Sequence, residues 1–318
     1  MDLDLISELY QSMLRIRRFE EESARLYTER KIAGFLHLYI GQEAIATGAY
    51  SVMNPETDKI VTAYRCHGHY LAAGGSVKAG YAELLGKETG CAKGRGGSMH
   101  FYDIKNGFLG GWGIVGAQLP CAAGVAFAQK YQNTGGITIC YLGDGAINIG
   151  PFHEAMSLAA LWKLPVIFVI ENNGFAMGTP IAKTSVTDDL SIRALGYPMA
   201  RDTMNGHDIF DIRSKVHKAV TRAREESMPT LIEAKTYRYR GHSMSDPAKY
   251  RTKADVQEWK DKDPIMVLGK TIEEMGYAEL KKQIDDEVEK EIQDGLEFAE
   301  KSPFPDPSKV FDYVEHSL

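Results

Sequence analysis

Two hydrophobic periodicities alternate along this chain. The runs 137–142 (ITICYL) and 165–170 (PVIFVI) are short, almost wholly apolar and β-branched, as strands buried on both faces are. Between them, residues 151–163 read as a helix. Strand, helix and strand at this spacing make one βαβ unit, with a right-handed crossover and parallel neighbouring strands. The alternation continues over about 35–240 and predicts an α/β fold, a doubly wound parallel sheet flanked by helices. Ahead of it, Ile6, Leu9, Met13, Ile16 and Leu26 recur at helical spacing and predict an amphipathic helix over 4–30. Near the other end, Leu280, Ile284, Val288, Ile292 and Leu296 step by four, a stripe that packs against the body or a partner. Pro303, Pro305 and Pro307 cannot continue that helix and read as a stiff extended turn. The expected organisation is a single domain over 1–318. It comprises an N-terminal helical extension (1–34), an α/β core (35–250) and a C-terminal helical region (251–318).

Composition narrows the function. At 318 residues and 44% hydrophobic content the chain can bury the core of one large α/β domain. A net charge of −6 without any local Lys/Arg block excludes an evident nucleic-acid surface. Cys66, Cys91, Cys121 and Cys140 are scattered, with no CxxC and no metal-ligand spacing, which fits a reducing compartment. The start, MDLDLISEL, lacks the basic region of a signal peptide, and no apolar run approaches the roughly 20 residues needed to span a bilayer. The expectation is a protein of the bacterial cytoplasm, or of an organelle matrix if processed from a precursor, with no membrane or nucleic-acid partner.

The chemistry concentrates at the carboxyl edge of the βαβ unit. Gly143-Asp144-Gly145 follows the first strand and Asn172-Asn173 the second, with 26 residues between Gly145 and Asn172. Asp144 and Asn173 therefore lie where open α/β sheets bind ligands. A carboxylate and an amide oxygen there, beside glycines and a helix N-terminus, can seat magnesium and a phosphate. Each piece alone is ordinary turn chemistry. The pair at one βαβ spacing carries the signal, and it resembles the thiamine diphosphate motif. Residues 110–118, GGWGIVGAQ, hold four glycines, so backbone there approaches something closely. Among nine histidines, His242 stands out in the polar loop RGHSMSDP, able to exchange a proton near neutral pH.

Six blocks extend the resemblance in chain order: HLYIGQEA (37–44), TAYRCHGHY (62–70), KGRGGSMHFY (93–102), GGWGIVGAQ (110–118), ALWKLPVIFVIENN (160–173) and YRYRGHSMSDPAKYR (237–251). From about residue 5 onward the chain resembles the alpha subunits of the first component of 2-oxo acid dehydrogenase complexes, the pyruvate dehydrogenase type in particular. The resemblance implies a thiamine diphosphate-binding fold. It implies Mg²⁺ held by Asp144, Asn173 and the main-chain carbonyl of Phe175, where the family usually has tyrosine. Tyr64, Arg65, Gly143, Gly145 and Ala146 would contact the cofactor, Arg65 through its planar fork. The backbone at Gly113 and Val115 would hold the aminopyrimidine, with Ile114 as an apolar wedge. His242 would serve cofactor, substrate and the incoming lipoyl group, and His67 is a second catalytic candidate. His37 and His69 are expected to be structural. Ser243 matches a position phosphorylated in some animal homologues.

The same resemblance implies a beta subunit in an α₂β₂ heterotetramer, which contributes the glutamate that activates the cofactor and the domain that closes over it. Two-carbon units from a small 2-oxo acid would pass to the lipoyl domain of a dihydrolipoyl acyltransferase. The expected function is that of the alpha subunit of a pyruvate dehydrogenase, oxidatively decarboxylating pyruvate and transferring acetyl to lipoamide. Two alternatives stay open: an acetoin or other 2-oxo acid dehydrogenase, and a non-catalytic scaffold of the same fold. Three departures bear on this choice. Cys66 stands where bacterial relatives usually carry aspartate, Trp112 where they have His or Asn, and Ile149 where they have Gln. Trp112 and Ile149 are expected to make the pocket bulkier and less polar.

Overall fold

The computed structural model describes residues 2–312. Among these residues eight strands run β1 (Lys59–Ala63), β2 (Phe108–Trp112), β3 (Thr138–Gly143), β4 (Val166–Asn172), β5 (Phe175–Ala176), β6 (Thr179–Pro180), β7 (Ala200–Asn205) and β8 (Thr230–Lys235). The helices are α1 (Leu3–Thr28), α2 (Glu43–Tyr50), α3 (His67–Ala72), α4 (Val77–Leu84) and α5 (Gln118–Tyr131), then α6 (Gly150–Leu161), α7 (Ile209–Glu226), α8 (Lys253–Lys260), α9 (Pro264–Glu274) and α10 (Ala278–Lys301).

Six strands form one parallel sheet in the order β2-β1-β3-β4-β8-β7. Alternation along each strand divides the core in two. Ile139, Tyr141, Ile167, Val169 and Ile232 face a layer built from α1–α4, α7 and α10. Cys140, Leu142, Phe168, Ile170 and Leu231 face α5 and α6. Both faces are covered, which is why these strands read as unbroken apolar runs.

The predicted βαβ unit is β3–α6–β4, with β3 and β4 paired from Thr138↔Val166 to Gly143↔Glu171. One detail differs. A five-residue 3₁₀ turn, Asp144–Asn148, follows β3, and Ile149 is extended (φ −97°, ψ 157°), so α6 begins only at Gly150. Pro151 explains that start, because a proline without an N–H fits the first turn of a helix. The long N-terminal helix forms as expected and buries Ile6, Leu9, Met13, Ile16 and Leu26. The C-terminal stripe packs on the body. Ile284, Val288, Ile292 and Leu296 join the core of α1 and α4, and Gly295 lies so close that a Cβ there would meet Val77 Cγ1 at 2.6 Å. After α10 the chain is extended until Pro307 opens a short 3₁₀ turn, Pro307–Lys309.

Strand order reverses direction between β1 and β3, since β1 leads outward to β2 while β3 leads the other way to β4. At such a switch point the loops leaving adjacent strands diverge and open a crevice.

Candidate active site

That crevice is a cavity of about 290 Å³. Ala63, Tyr64 and Arg65 enter it from the end of β1, Gly143 to Ala146 from β3, Glu171, Asn173 and Phe175 from β4 and just beyond, and Arg238 and His242 from the segment after β8. The topology thus gathers Asp144, Asn173, Phe175, Tyr64, Arg65, Gly143, Gly145, Ala146, Val115 and His242 around one space.

Asp144 is 2% exposed, and its Oδ2 has no hydrogen-bond partner. Burial pushes its carboxyl up to about 6, against a smaller opposing pull from the Gly145 N–H. An unpaired oxygen buried this deeply is costly unless something cationic meets it. Asn173 donates from Nδ2 to Gln42 Oε1 at 3.1 Å, which orients its amide, and its Oδ1 accepts weakly from the Phe175 N–H at 3.4 Å. Opposite Phe175 in the β5–β6 ribbon stands Pro180, which has no N–H to give the Phe175 carbonyl. Gly145 allows the turn after β3 to lie against this ribbon, where a Cβ would come within 2.7 Å of Ala176 Cβ. Among the described residues no group of three His, Cys, Asp or Glu could hold a metal. The oxygens available here suit a hard cation that keeps waters and phosphate oxygens in its shell, as Mg²⁺ does.

Two buried guanidinium groups face the same space. Arg65 donates from Nη1 to the Leu38 carbonyl at 2.6 Å and from Nη2 to the His242 carbonyl at 2.7 Å. Two of its five N–H groups are therefore used on main chain, and three remain. Arg238, 3% exposed, donates from Nε to the Arg240 carbonyl and from Nη2 to the Tyr250 hydroxyl. Neither makes an ion pair among the described residues. Burial, followed by the neighbouring Arg238, pushes Arg65 down to about 10, and burial lowers Arg238 as well. Unpaired buried cations of this kind are complementary to an anion with several oxygens.

The cavity continues outward into a second space of about 720 Å³, lined by Phe35, His37, Tyr64, Gly113, Val115, Met177 and His242 among others. Tyr64, Val115, Met177 and His242 line both spaces. Burial first, then Arg65 and Arg238, push His242 down to about 4, so its imidazole is neutral near pH 7. The rings of His242, His37 and Tyr64 cluster, with centroids 4.7–5.7 Å apart. Asp246 fixes the His242 backbone, accepting its N–H at 2.6 Å together with the Tyr250 hydroxyl and the Ala248 N–H.

Other expected residues stand apart from the inner cavity. His67 lines neither space. It opens α3 with its ring turned inward, is wholly buried, and bonds through Nδ1 to Glu20 at 2.6 Å and through Nε2 to Ser98 at 3.0 Å. Gly113 lines only the outer space. Ile114 is 75% exposed and lies under neither. Trp112 and Ile149 do not crowd the pocket. Both pack against the α5–α6 core, with Ile149 filling the notch left by Gly116. Cys66 is also buried away from the cavity, its thiol bonded to the Ser98 carbonyl and pushed by burial up to about 12. Sequence reasoning missed Gln42, Glu171 and Arg238, and read His37 as structural although it lines the outer space. Glu171 left a signal: it interrupts an apolar strand two residues before Asn173, on the same face.

A profile of the dehydrogenase E1 component family matches residues 11–308. The chain is 45% identical over 307 residues to the pyruvate dehydrogenase E1 component subunit alpha of Rickettsia bellii, covering 96% of this chain and 94% of that one. Its counterpart in Zymomonas mobilis is 46% identical over 313 residues, covering 98% and 88%. The testis-specific mitochondrial form of Rattus norvegicus is 44% identical over 311 residues, covering 96% and 78%. A solved structure of a putative thiamin diphosphate-dependent enzyme from Mycobacterium smegmatis aligns with 64% of this chain and 33% of its own, at 17% identity and a TM-score of 0.43, too distant to bear on the chemistry.

Proposed function

The chain belongs to the dehydrogenase E1 component family, and we propose that it is the alpha subunit of a pyruvate dehydrogenase, using thiamine diphosphate and Mg²⁺. The observation that carries this reading is the buried Asp144 carboxylate with an unpartnered oxygen, facing two buried guanidinium groups without ion pairs. A metal–diphosphate pair answers both needs together.

In this reading Asp144, the Asn173 amide oxygen and the Phe175 carbonyl hold Mg²⁺. Arg65 and Arg238 face the diphosphate, while Gly143, Gly145 and Ala146 let backbone approach it. When bound, thiamine diphosphate supplies a carbon nucleophile and an electron sink for decarboxylation of a 2-oxo acid. The protein orients it and excludes water. Gly113 and Val115 line the path from the outer space, where substrate and lipoyl group would arrive. His242, neutral near pH 7 and tethered through its backbone by Asp246 and Arg65, keeps its ring available to exchange a proton there. Exposed Val115 and Met177 rim the open side. This supports closure of the open side by a partner, in this reading the beta subunit; the family resemblance adds that it would contribute the activating glutamate and that acetyl would pass to the lipoyl domain of an acyltransferase. The compartment proposed is the cytoplasm of a bacterium or an organelle matrix.

The test is dye reduction by this chain co-expressed with its beta subunit, comparing pyruvate, acetoin and branched 2-oxo acids. Preference for pyruvate is expected. Preference for acetoin would overturn the substrate, and cofactor binding without any turnover would overturn the activity.

A further inference from the structure

Glu171 has no part in the cofactor contacts described above, yet it is an acidic side chain only 7% exposed at the wall of the inner cavity. It follows five apolar residues of β4, on the face occupied by Ile167 and Val169. A carboxylate buried there is tolerated only if it is hydrogen-bonded. Its Oε1 accepts the Tyr39 hydroxyl, and His69 Nε2 lies 3.2 Å from the same oxygen, outside hydrogen-bond geometry. The Tyr39 ring is itself fixed by close packing, since a Cβ on Gly68 would come within 2.2 Å of it.

Tyr39 belongs to a short stretch, residues 38–42, each end of which bonds a side chain that lines the cavity. The Leu38 carbonyl accepts Arg65 Nη1, and Gln42 Oε1 accepts Asn173 Nδ2. The guanidinium and the amide therefore take their orientation from one five-residue segment. That segment is pinned to β4 through the Tyr39–Glu171 bond. We infer that Glu171 is a positioning residue: by holding Tyr39 it sets residues 38–42, and through them the orientation of Arg65 and Asn173 toward the metal–diphosphate. The inference rests on the reading of this cavity as a thiamine diphosphate site.

The test uses the assembled complex with the beta subunit and titrates thiamine diphosphate at fixed Mg²⁺ by calorimetry. Variants are Glu171→Val, which removes the acceptor, Glu171→Gln, which keeps one, and Tyr39→Phe, which removes the donor at little cost to packing. Glu171→Val should weaken cofactor binding about tenfold, the scale of one lost buried hydrogen bond. The KM for pyruvate at saturating cofactor should stay unchanged. Glu171→Gln should restore most of the affinity. Tyr39→Phe should weaken it too, and the double variant Tyr39→Phe/Glu171→Val should be no worse than Glu171→Val alone. Should Glu171→Val fail to assemble, Tyr39→Phe and Glu171→Gln decide the matter. Unchanged affinity in Tyr39→Phe, or losses that simply add in the double variant, would overturn the inference. Wild-type complex that binds no thiamine diphosphate would instead overturn the reading of the cavity.

Discussion

Arg65 Nη2 donates to the main-chain carbonyl of His242 at 2.7 Å, joining the end of β1 to a loop 177 residues further along the chain. The bond unites the two halves of the cavity, one offering charge to an anion and the other a titratable ring. It also fixes the ring's backbone from one side while Asp246 fixes it from the other.

Arg65→Lys should expose this dependence. A lysine cannot reach the Leu38 and His242 carbonyls together with one point charge. Cofactor binding should weaken about 10- to 100-fold, matching the loss of one charge-assisted hydrogen bond at about 1.5–3 kcal/mol. Calorimetric titration of the assembled complex measures it, and affinity within error of wild type would detach Arg65 from the site.

His67 is expected to matter for stability alone. His67→Leu leaves the buried Glu20 carboxylate without its ring partner, a loss of about 3 kcal/mol or more. Thermal unfolding should show a lowered Tm, while the complex that remains folded keeps its cofactor affinity. A fall in kcat at unchanged Tm would return His67 to the catalytic list.

Acid sensitivity follows from the buried histidines. His207, its ring tilted against Trp259 at 4.8 Å and pushed by burial down to about 4, stays neutral in the folded chain while its unfolded counterpart takes a proton near 6.5. Its depressed value means that stability is full above about pH 6.5 and is lost as pH falls toward 4. The groups facing it are Asp263, Arg17, Lys262 and Tyr239. His207→Phe should recover up to about 3 kcal/mol of the loss at pH 4.5. Denaturant unfolding at pH 7.5 and 4.5 gives the comparison. His37 and His242 act in the same direction, so part of the dependence should persist.

Trp112 and Ile149 pack behind the wall of the cavity, so neither should set substrate choice. Trp112→His and Ile149→Gln are expected to leave the ratio of kcat/KM for pyruvate to that for acetoin unchanged. A shifted ratio in either variant would show that the α5–α6 core reaches the substrate.

Much of this was legible from residues alone. Two apolar runs bracketed by Gly143-Asp144-Gly145 and Asn172-Asn173 betray β3, β4 and the ligand edge between them, because strands buried on both faces tolerate little else. The terminal helices show in their stripes. The other members of the site come from burial and convergence, which sequence order hides. Gln42 meets Asn173, and Arg238 meets Asp144, only through the topology of the sheet. His67 lies two positions from Arg65, yet the first turn of α3 carries it inward to Glu20. Ile114 is expected as an apolar wedge beneath the cofactor, yet it lies 75% exposed, outside the packed layers.

The most direct measurement is calorimetric titration of thiamine diphosphate into the complex of this chain with its beta subunit, with and without Mg²⁺, for wild type and Asp144→Ala. Binding that requires Mg²⁺ in wild type and vanishes in Asp144→Ala, with the heterotetramer intact by size-exclusion chromatography, is the expected result. Equal affinity in the two proteins, or binding indifferent to Mg²⁺, would contradict the assignment of Asp144 and with it the account of the cavity.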